Sequence, residues 1–388
     1  MLFRSPLMNP IIILGSGLAG YNVAKELRKL DKDTALTVIS ADSGAFYSKP
    51  MLSNALVQKK APAAIALNTP EQMATQLNAT VRPNTRVTAI NPGAHAISIG
   101  GETLPYAKLV LALGADQIRL PIGGDAADAI VTVNDLDDYG RFHNRLDGKK
   151  RVVIIGAGLI GSEFANDLIV GGHDVSVIDI ANQPLGRLLP PEGGAMVRDK
   201  LKALGIQWHF GTGTRSVDHD GAALKVTLDN GSTLPADIVL SAVGLTPRTQ
   251  LAKAAGLSVN RGIVVNRNLQ TSDADIYALG DCMEIEGLVM PYVMPIMHAA
   301  RALGATLGGK PTPVSFPAMP VMVKTPACPT IVSPPAAGAT GDWKVEVNGD
   351  GVKSLFMDAT GKLLGFALNG SATAERGKLA PQLPPVLA

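Results

Sequence analysis

A short apolar run that breaks into a glycine-spaced turn occurs twice in this chain, and that repetition constrains the fold more than any other feature. Ile11–Leu14 leads into Gly15-Ser16-Gly17-Leu18-Ala19-Gly20, and Arg151–Ile155 leads into Gly156-Ala157-Gly158-Leu159-Ile160-Gly161. In such a turn the first glycine makes the strand-to-helix bend, the second lets the backbone approach a pyrophosphate, and the third lets helix and strand pack closely. The helix N-terminus that follows favours an anion, through its unpaired N–H groups and the positive end of its dipole. The pattern predicts a helix from the first turn to about Leu30 and a strand at Leu36–Ser40, with a strand at Asp174–Ile178 after the second helix. Each module then offers a carboxylate at the end of its second strand, Asp42 and Asp179, where ribose hydroxyls can donate to it. As a plainer alternative, both are turn aspartates.

A chain of 388 residues is too long for one core, so two or three domains are expected. The formal charge of +2 implies neither a nucleic-acid partner nor an anionic membrane surface. Ile11–Leu14 is too short for a signal-peptide core and no stretch approaches membrane-spanning length, so a cytoplasmic protein without membrane association is the plain reading. Cys282 and Cys328 form no CxxC and no metal-ligand cluster with the six His, which argues against both a metal site and a dithiol relay. Any redox centre must then be a bound cofactor.

Short alternating strands at Thr85–Ile90, Ala96–Ile99 and Leu109–Ala112 suggest β-meander insertions. Beyond about Ser315 the texture becomes Pro-rich, with a hairpin group from Trp343 through Phe366 and a tail, Leu379–Ala388, that reads as loop or loosely packed terminus. The expected class is α/β: two Rossmann-like three-layer (ββα) dinucleotide-binding domains, one from residues 1–118 and 242–315 and one from 119–241, plus a small α+β C-terminal domain at 316–388.

Three further segments carry a family likeness: Leu109-Val110-Leu111-Ala112-Leu113-Gly114-Ala115, Ser241-Ala242-Val243-Gly244-Leu245-Thr246-Pro247-Arg248, and Thr271 to Asp281. With the order of the two modules, they resemble the pyridine nucleotide-disulfide oxidoreductase superfamily, in which the first module holds FAD and the second NAD(P)H. Tyr47-Ser48-Lys49-Pro50-Met51-Leu52-Ser53, the helix start Gly158 to Ala165, and Val323 to Pro329 resemble the NADH:rubredoxin reductases over nearly the whole chain. Ferredoxin reductases of oxygenase systems resemble it up to about Gly308. They carry a longer C-terminal domain and a YxRPPLSK segment whose Arg and second Pro are here Lys49 and Met51.

The resemblance implies roles residue by residue. Gly15, Ser16, Gly17, Leu18, Ala19 and Gly20 would cradle the FAD pyrophosphate, Asp42 the ribose, and Val87 the adenine through its backbone. Ala112, Gly114, Gly244, Gly280 and Asp281 would line the same cofactor, with Asp281 on the ribitol chain or capping a helix, or both. Val293 would contact the flavin ahead of a helix starting near Pro295, and Lys324 would sit near the N1–C2=O end. Gly156, Gly158, Leu159, Ile160, Gly161 and Asp179 would bind NADH. Lys49 and Glu163, as an ion pair at the flavin N5 edge, are the catalytic candidates.

Asp179 disfavours a 2′-phosphate by roughly 3 kcal/mol at about 5 Å and an effective dielectric of about 20, which selects NADH over NADPH, with Arg187 close enough in sequence to soften the effect. The implied activity is hydride transfer from NADH to FAD, then single electrons to rubredoxin, a small acidic iron protein docking transiently on a basic rim to which Lys59, Lys60 and Lys324 could contribute. Such a chain, expected as a monomer, would feed alkane hydroxylation or an oxygen- or NO-detoxifying system. A ferredoxin or flavorubredoxin reductase is the alternative within the enzymes, and a flavoprotein whose redox state regulates partner binding is the alternative outside them.

Overall fold

The computed structural model describes residues 9–388; residues 1–8, which the first expected domain included, lie outside the described residues. The described chain divides into two units. The first contains the residues up to Lys49, Ala66–Asp116 and Leu245–Phe316; the second contains Pro50–Ile65, Gln117–Gly244 and Pro317–Ala388.

Every residue of Ile11–Leu14 is apolar and buried, the pattern of an interior parallel strand covered on both faces. It pairs in parallel with Leu36–Ile39 and with Lys108–Leu111, and Thr80–Arg82 and Ile276–Ala278 complete a five-stranded parallel sheet. The Leu18–Leu30 helix buries Tyr21, Val23, Ala24 and Leu27 and packs along the Val293–Leu307 helix. Gly304 allows that approach, because a Cβ there would press into the backbone at Glu26 and Leu27. A three-stranded antiparallel meander, Ala89–Asn91, Ala96–Ile99 and Glu102–Pro105, also belongs to this unit. The strand expected over Thr85–Ile90 begins only at Ala89. The start of that stretch is held elsewhere, Asn84 N–H going to the Asp42 carbonyl and Thr85 N–H to the Ser40 carbonyl, both at 2.7 Å, with Asn84 left-handed at φ 49°; Thr88 N–H then reaches the Ser98 carbonyl of the meander at 2.9 Å.

In the second unit Arg151–Ile155 is flanked in parallel by Asp174–Asp179 and Ile238–Ser241, with Gln207–Phe210 at the far edge. Val153, Ile155, Ile178 and Val239 pack on Val217, Leu224, Val226 and Leu228, so an antiparallel meander covers one face of the parallel sheet. That is the α/β class expected, with helix, parallel sheet and meander as its layers. The C-terminal residues form a five-stranded antiparallel sheet, Val321–Val323, Thr330–Ser333, Leu363–Gly370, Gly351–Met357 and Asp342–Asn348 in spatial order. This sheet packs on the Pro191–Ala203 helix, where Gly193 leaves room for Asn369. The tail differs from its reading as a loose terminus: Leu379, Leu383 and Leu387 are buried, the first two among Ile331, Leu363, Phe366 and Leu368. Leucines at and just beyond two short helical turns find an apolar sheet face to cover, a contact invisible in the local Pro-rich composition.

Candidate functional site

Each glycine turn can be tested for its fitness to hold a phosphate. Gly15 has φ +114°, closed to most side chains, and a Cβ there would run into the Ala112 carbonyl. A Cβ on Gly20 would collide with the Gly15 carbonyl, whereas one on Gly17 would meet nothing within 4 Å. Gly17 is the N-cap of the Leu18–Leu30 helix, with no side-chain cap and no acidic residue in the first turn. The turn is therefore tight where helix meets strand and open where an anion would approach the uncapped N–H groups. Asp42 is tied to this loop: its Oδ1 accepts from Ser16 Oγ at 3.0 Å, Ser40 Oγ at 2.5 Å and Gly44 N–H at 2.9 Å. Ser16 thus uses its hydroxyl to orient the carboxylate.

The remaining first-module residues gather on the same framework. Ala112 hydrogen-bonds through its N–H to the Leu14 carbonyl at 2.9 Å, and Gly114 has φ +72° and accepts from the Arg248 N–H at 3.0 Å. Gly280, φ +80°, brings its turn against the first helix, since a Cβ would crowd Ala19. Beside it Asp281 pairs with Lys49 at 3.8 Å; burial pushes the Asp281 carboxyl up and Lys49 opposes that shift. Val293 begins the helix expected near Pro295, an N-terminus without a side-chain cap, with Tyr292, Val293 and Met294 exposed. An uncapped helix end ringed by exposed apolar side chains suits a planar ring with an electron-rich edge. Val87 lies on irregular backbone and is half-buried.

The second turn repeats the geometry. Gly156 has φ +103° and faces the Ala242 carbonyl, Gly161 leaves no room for a Cβ against the Gly156 carbonyl, and Gly158 is open and caps the Leu159–Val170 helix without a side chain. Asp179 is fixed by the loop itself, Oδ2 accepting from Ala157 N–H at 2.5 Å and Oδ1 from Ala181 N–H at 2.7 Å. Ile160 and Ile180 are exposed, and Gly244 takes φ +117°.

One turn into that helix Glu163 is 1% exposed. Its Oε1 accepts the Lys324 backbone N–H at 2.9 Å, and its Oε2 accepts Ser53 Oγ at 2.6 Å and pairs with the Lys324 ammonium. Sequence reasoning paired Glu163 with Lys49; within the second unit Glu163 pairs with Lys324, and within the first Lys49 lies 3.8 Å from Asp281. Lys324, also a candidate for the docking rim, has its ammonium committed to this buried carboxylate, while Lys59 is exposed and Lys60 half-buried. Two further buried polar residues on the same helix escaped sequence reasoning. Asn166 Oδ1 accepts from Ala327 N–H at 3.3 Å, and Asp167 accepts from Leu56 and Val57 N–H at 3.1 and 2.8 Å. Their i, i+3, i+4 spacing with Glu163 is the only signal the sequence carried. Burial raises the Asp167 carboxyl, and the backbone donors from Val57 and Leu56 counter it.

Cys282 and Cys328 are both buried free thiols, and burial pushes Cys282 up to about 11 and Cys328 in the same direction, so neither has thiolate character. Among the described residues there is no cluster that could hold a metal and no helix long and apolar enough to cross a membrane.

Two open, uncapped glycine turns with carboxylate partners and no dithiol define a class, and comparison places the chain in it: residues 9–304 match the pyridine nucleotide-disulphide oxidoreductase family, so the chain belongs to that family. Residues 313–383 match the rubredoxin binding C-terminal domain. The chain is 48% identical over 381 residues to a rubredoxin-NAD(+) reductase of Alcanivorax borkumensis, covering 98% of this chain and 100% of that protein. It is 37% identical over 375 residues to a nitric oxide reductase FlRd-NAD(+) reductase of Aeromonas hydrophila, covering 96% of each. Among solved structures, a ferredoxin reductase from Rhodopseudomonas palustris superposes with a TM-score of 0.87 at 27% identity, covering 97% of this chain and 95% of that one.

Proposed function

We propose that this chain is an NADH-dependent, FAD-containing reductase of rubredoxin. The observation that carries the reading is the pair of open, uncapped glycine cradles at Gly17 and Gly158, each with an oriented carboxylate, in a chain whose two thiols are buried and apart. FAD, when bound, accepts two electrons from a nicotinamide and releases them one at a time. The first cradle, Asp42 and Asp281 hold that cofactor. The second cradle and Asp179 hold NADH, Asp179 repelling the 2′-phosphate of NADPH. Glu163 and Lys324 form a neutralised pair beside the cradle, and Lys49 offsets the charge of Asp281.

The acceptor is assigned from the match of residues 313–383 to the rubredoxin binding C-terminal domain and from the extent of identity to the Alcanivorax borkumensis rubredoxin-NAD(+) reductase. A flavorubredoxin acceptor is the second reading, favoured by the likeness to the Aeromonas hydrophila protein. Alkane hydroxylation or NO detoxification would follow accordingly. The cytoplasm suits a chain with two free, buried thiols. Purification tests the cofactor half: the protein carries about one FAD per chain, and NADH bleaches it faster than NADPH by about tenfold or more. A colourless protein, or equal rates with both coenzymes, contradicts it.

A further inference from the structure

Ser53 is 3% exposed, and its hydroxyl oxygen stands 2.6 Å from Glu163 Oε2 and 3.1 Å from Lys324 Nζ. Lys324 Nζ pairs with that same Oε2, so three side-chain atoms close a triangle. A hydroxyl has one proton and two lone pairs. Here the proton goes to the carboxylate and a lone pair receives the ammonium. The segment carrying Ser53 is held independently, because the N–H groups of Leu56 and Val57 are bound by Asp167, one turn along the helix from Glu163. Ser53 Oγ is therefore a fixed point on an anchored backbone.

Lys324 differs. Its side chain is 24% exposed on a flexible four-carbon stem, and its backbone N–H donates to Glu163 Oε1 whether or not the ammonium stays on Oε2. The carboxylate alone therefore constrains the ammonium from one side; the Ser53 oxygen supplies the second contact that fixes its direction. We infer that Ser53 is a positioning residue: it holds the Lys324 ammonium on Glu163 and so sets where the charge of this pair lies in the NADH-reactive site. The inference rests on the reading of the chain as an NADH-dependent flavin reductase.

The test uses the FAD-loaded protein and two readouts. In the first, lysines are acetylated with a limiting amount of acetic anhydride and the peptides containing Lys324 and Lys59 are quantified by mass spectrometry. In the second, flavin reduction is followed at saturating NADH. Loss of one hydrogen bond to a charged group corresponds to about a tenfold effect. S53A should therefore raise Lys324 labelling relative to Lys59 by about tenfold and slow flavin reduction by about tenfold, with the NADH concentration for half-maximal rate unchanged within about twofold, since Ser53 touches neither the glycine turn nor Asp179. S53T, which keeps the hydroxyl, should return both readouts toward native values. Unchanged labelling in S53A, or faster labelling with an unchanged reduction rate, or S53T behaving as S53A, would overturn the inference. Failure of the underlying reading is separate and visible in the native protein, as absence of reduction by NADH.

Discussion

The Asp179 carboxylate is gripped by Ala157, whose backbone nitrogen lies 2.5 Å from Oδ2 within the second glycine turn. The carboxylate proposed to discriminate between coenzymes is thus built into the second glycine turn. Replacing Asp179 by Ala should raise the KM for NADH by about tenfold and narrow the preference over NADPH by at least as much, because both the acceptor and the repelling charge are lost. Steady-state kinetics with the two coenzymes measure this; an unchanged ratio would place discrimination elsewhere.

The two cradles should fail independently. A Cβ at Gly20 has to displace the Gly15 carbonyl, and one at Gly161 the Gly156 carbonyl. Overpacking of this kind costs about 1–3 kcal/mol. G20A should emerge depleted in FAD by absorbance, whereas G161A should retain its flavin and bind NADH at least about tenfold more weakly. Loss of flavin in G161A would argue against separate modules.

Asp237 gives a prediction about pH. The Arg151 guanidinium holds its carboxyl well below the usual carboxylate range, burial opposes this, and the Arg151 and Lys150 N–H groups add to the lowering, at 2.9 and 3.1 Å. A carboxyl depressed in the folded state contributes stability above its unfolded pKa of about 3.9 and loses it as the pH falls below that value. D237N should destabilise the protein by about 1 kcal/mol at pH 7, a modest figure because Arg151 is partly exposed and screened, and by progressively less as the pH is lowered toward about 3. Denaturant melts across that range decide it, and a penalty that grows on acidification would refute the assignment.

How much of this was legible in the sequence depended on the range of the interaction. Ile11–Leu14 and Arg151–Ile155 were located to the residue, and the Leu18–Leu30 helix to its end, because apolar runs and glycine spacing are local signals. Asp42 and Asp179 followed from the same grammar. Thr85–Ile90 was misjudged because alternation cannot reveal that Asn84 and Thr85 donate to residues around Ser40. Glu163 was expected as half of an ion pair; it has a cation in Lys324, 161 residues away, and a hydroxyl donor in Ser53, 110 residues before it. No spacing rule spans such distances. Asp167 likewise takes its donors from Leu56 and Val57, 111 and 110 residues before it.

The tail offers a stability test of the same lesson. Leu383 lies buried against the C-terminal sheet cluster, so L383A should cost about 2–3 kcal/mol. Thermal or denaturant unfolding that left the protein within about 0.5 kcal/mol of native would return the tail to the status of a loose terminus.

The central claim is the acceptor, and its most direct measurement is stopped-flow oxidation of the NADH-reduced protein by equal low concentrations of rubredoxin and, separately, of a [2Fe–2S] ferredoxin. The account predicts rubredoxin reduction that is faster by at least about tenfold, falling as salt is raised because the encounter is steered by charge. Equal rates, or a preference for the ferredoxin, would contradict it.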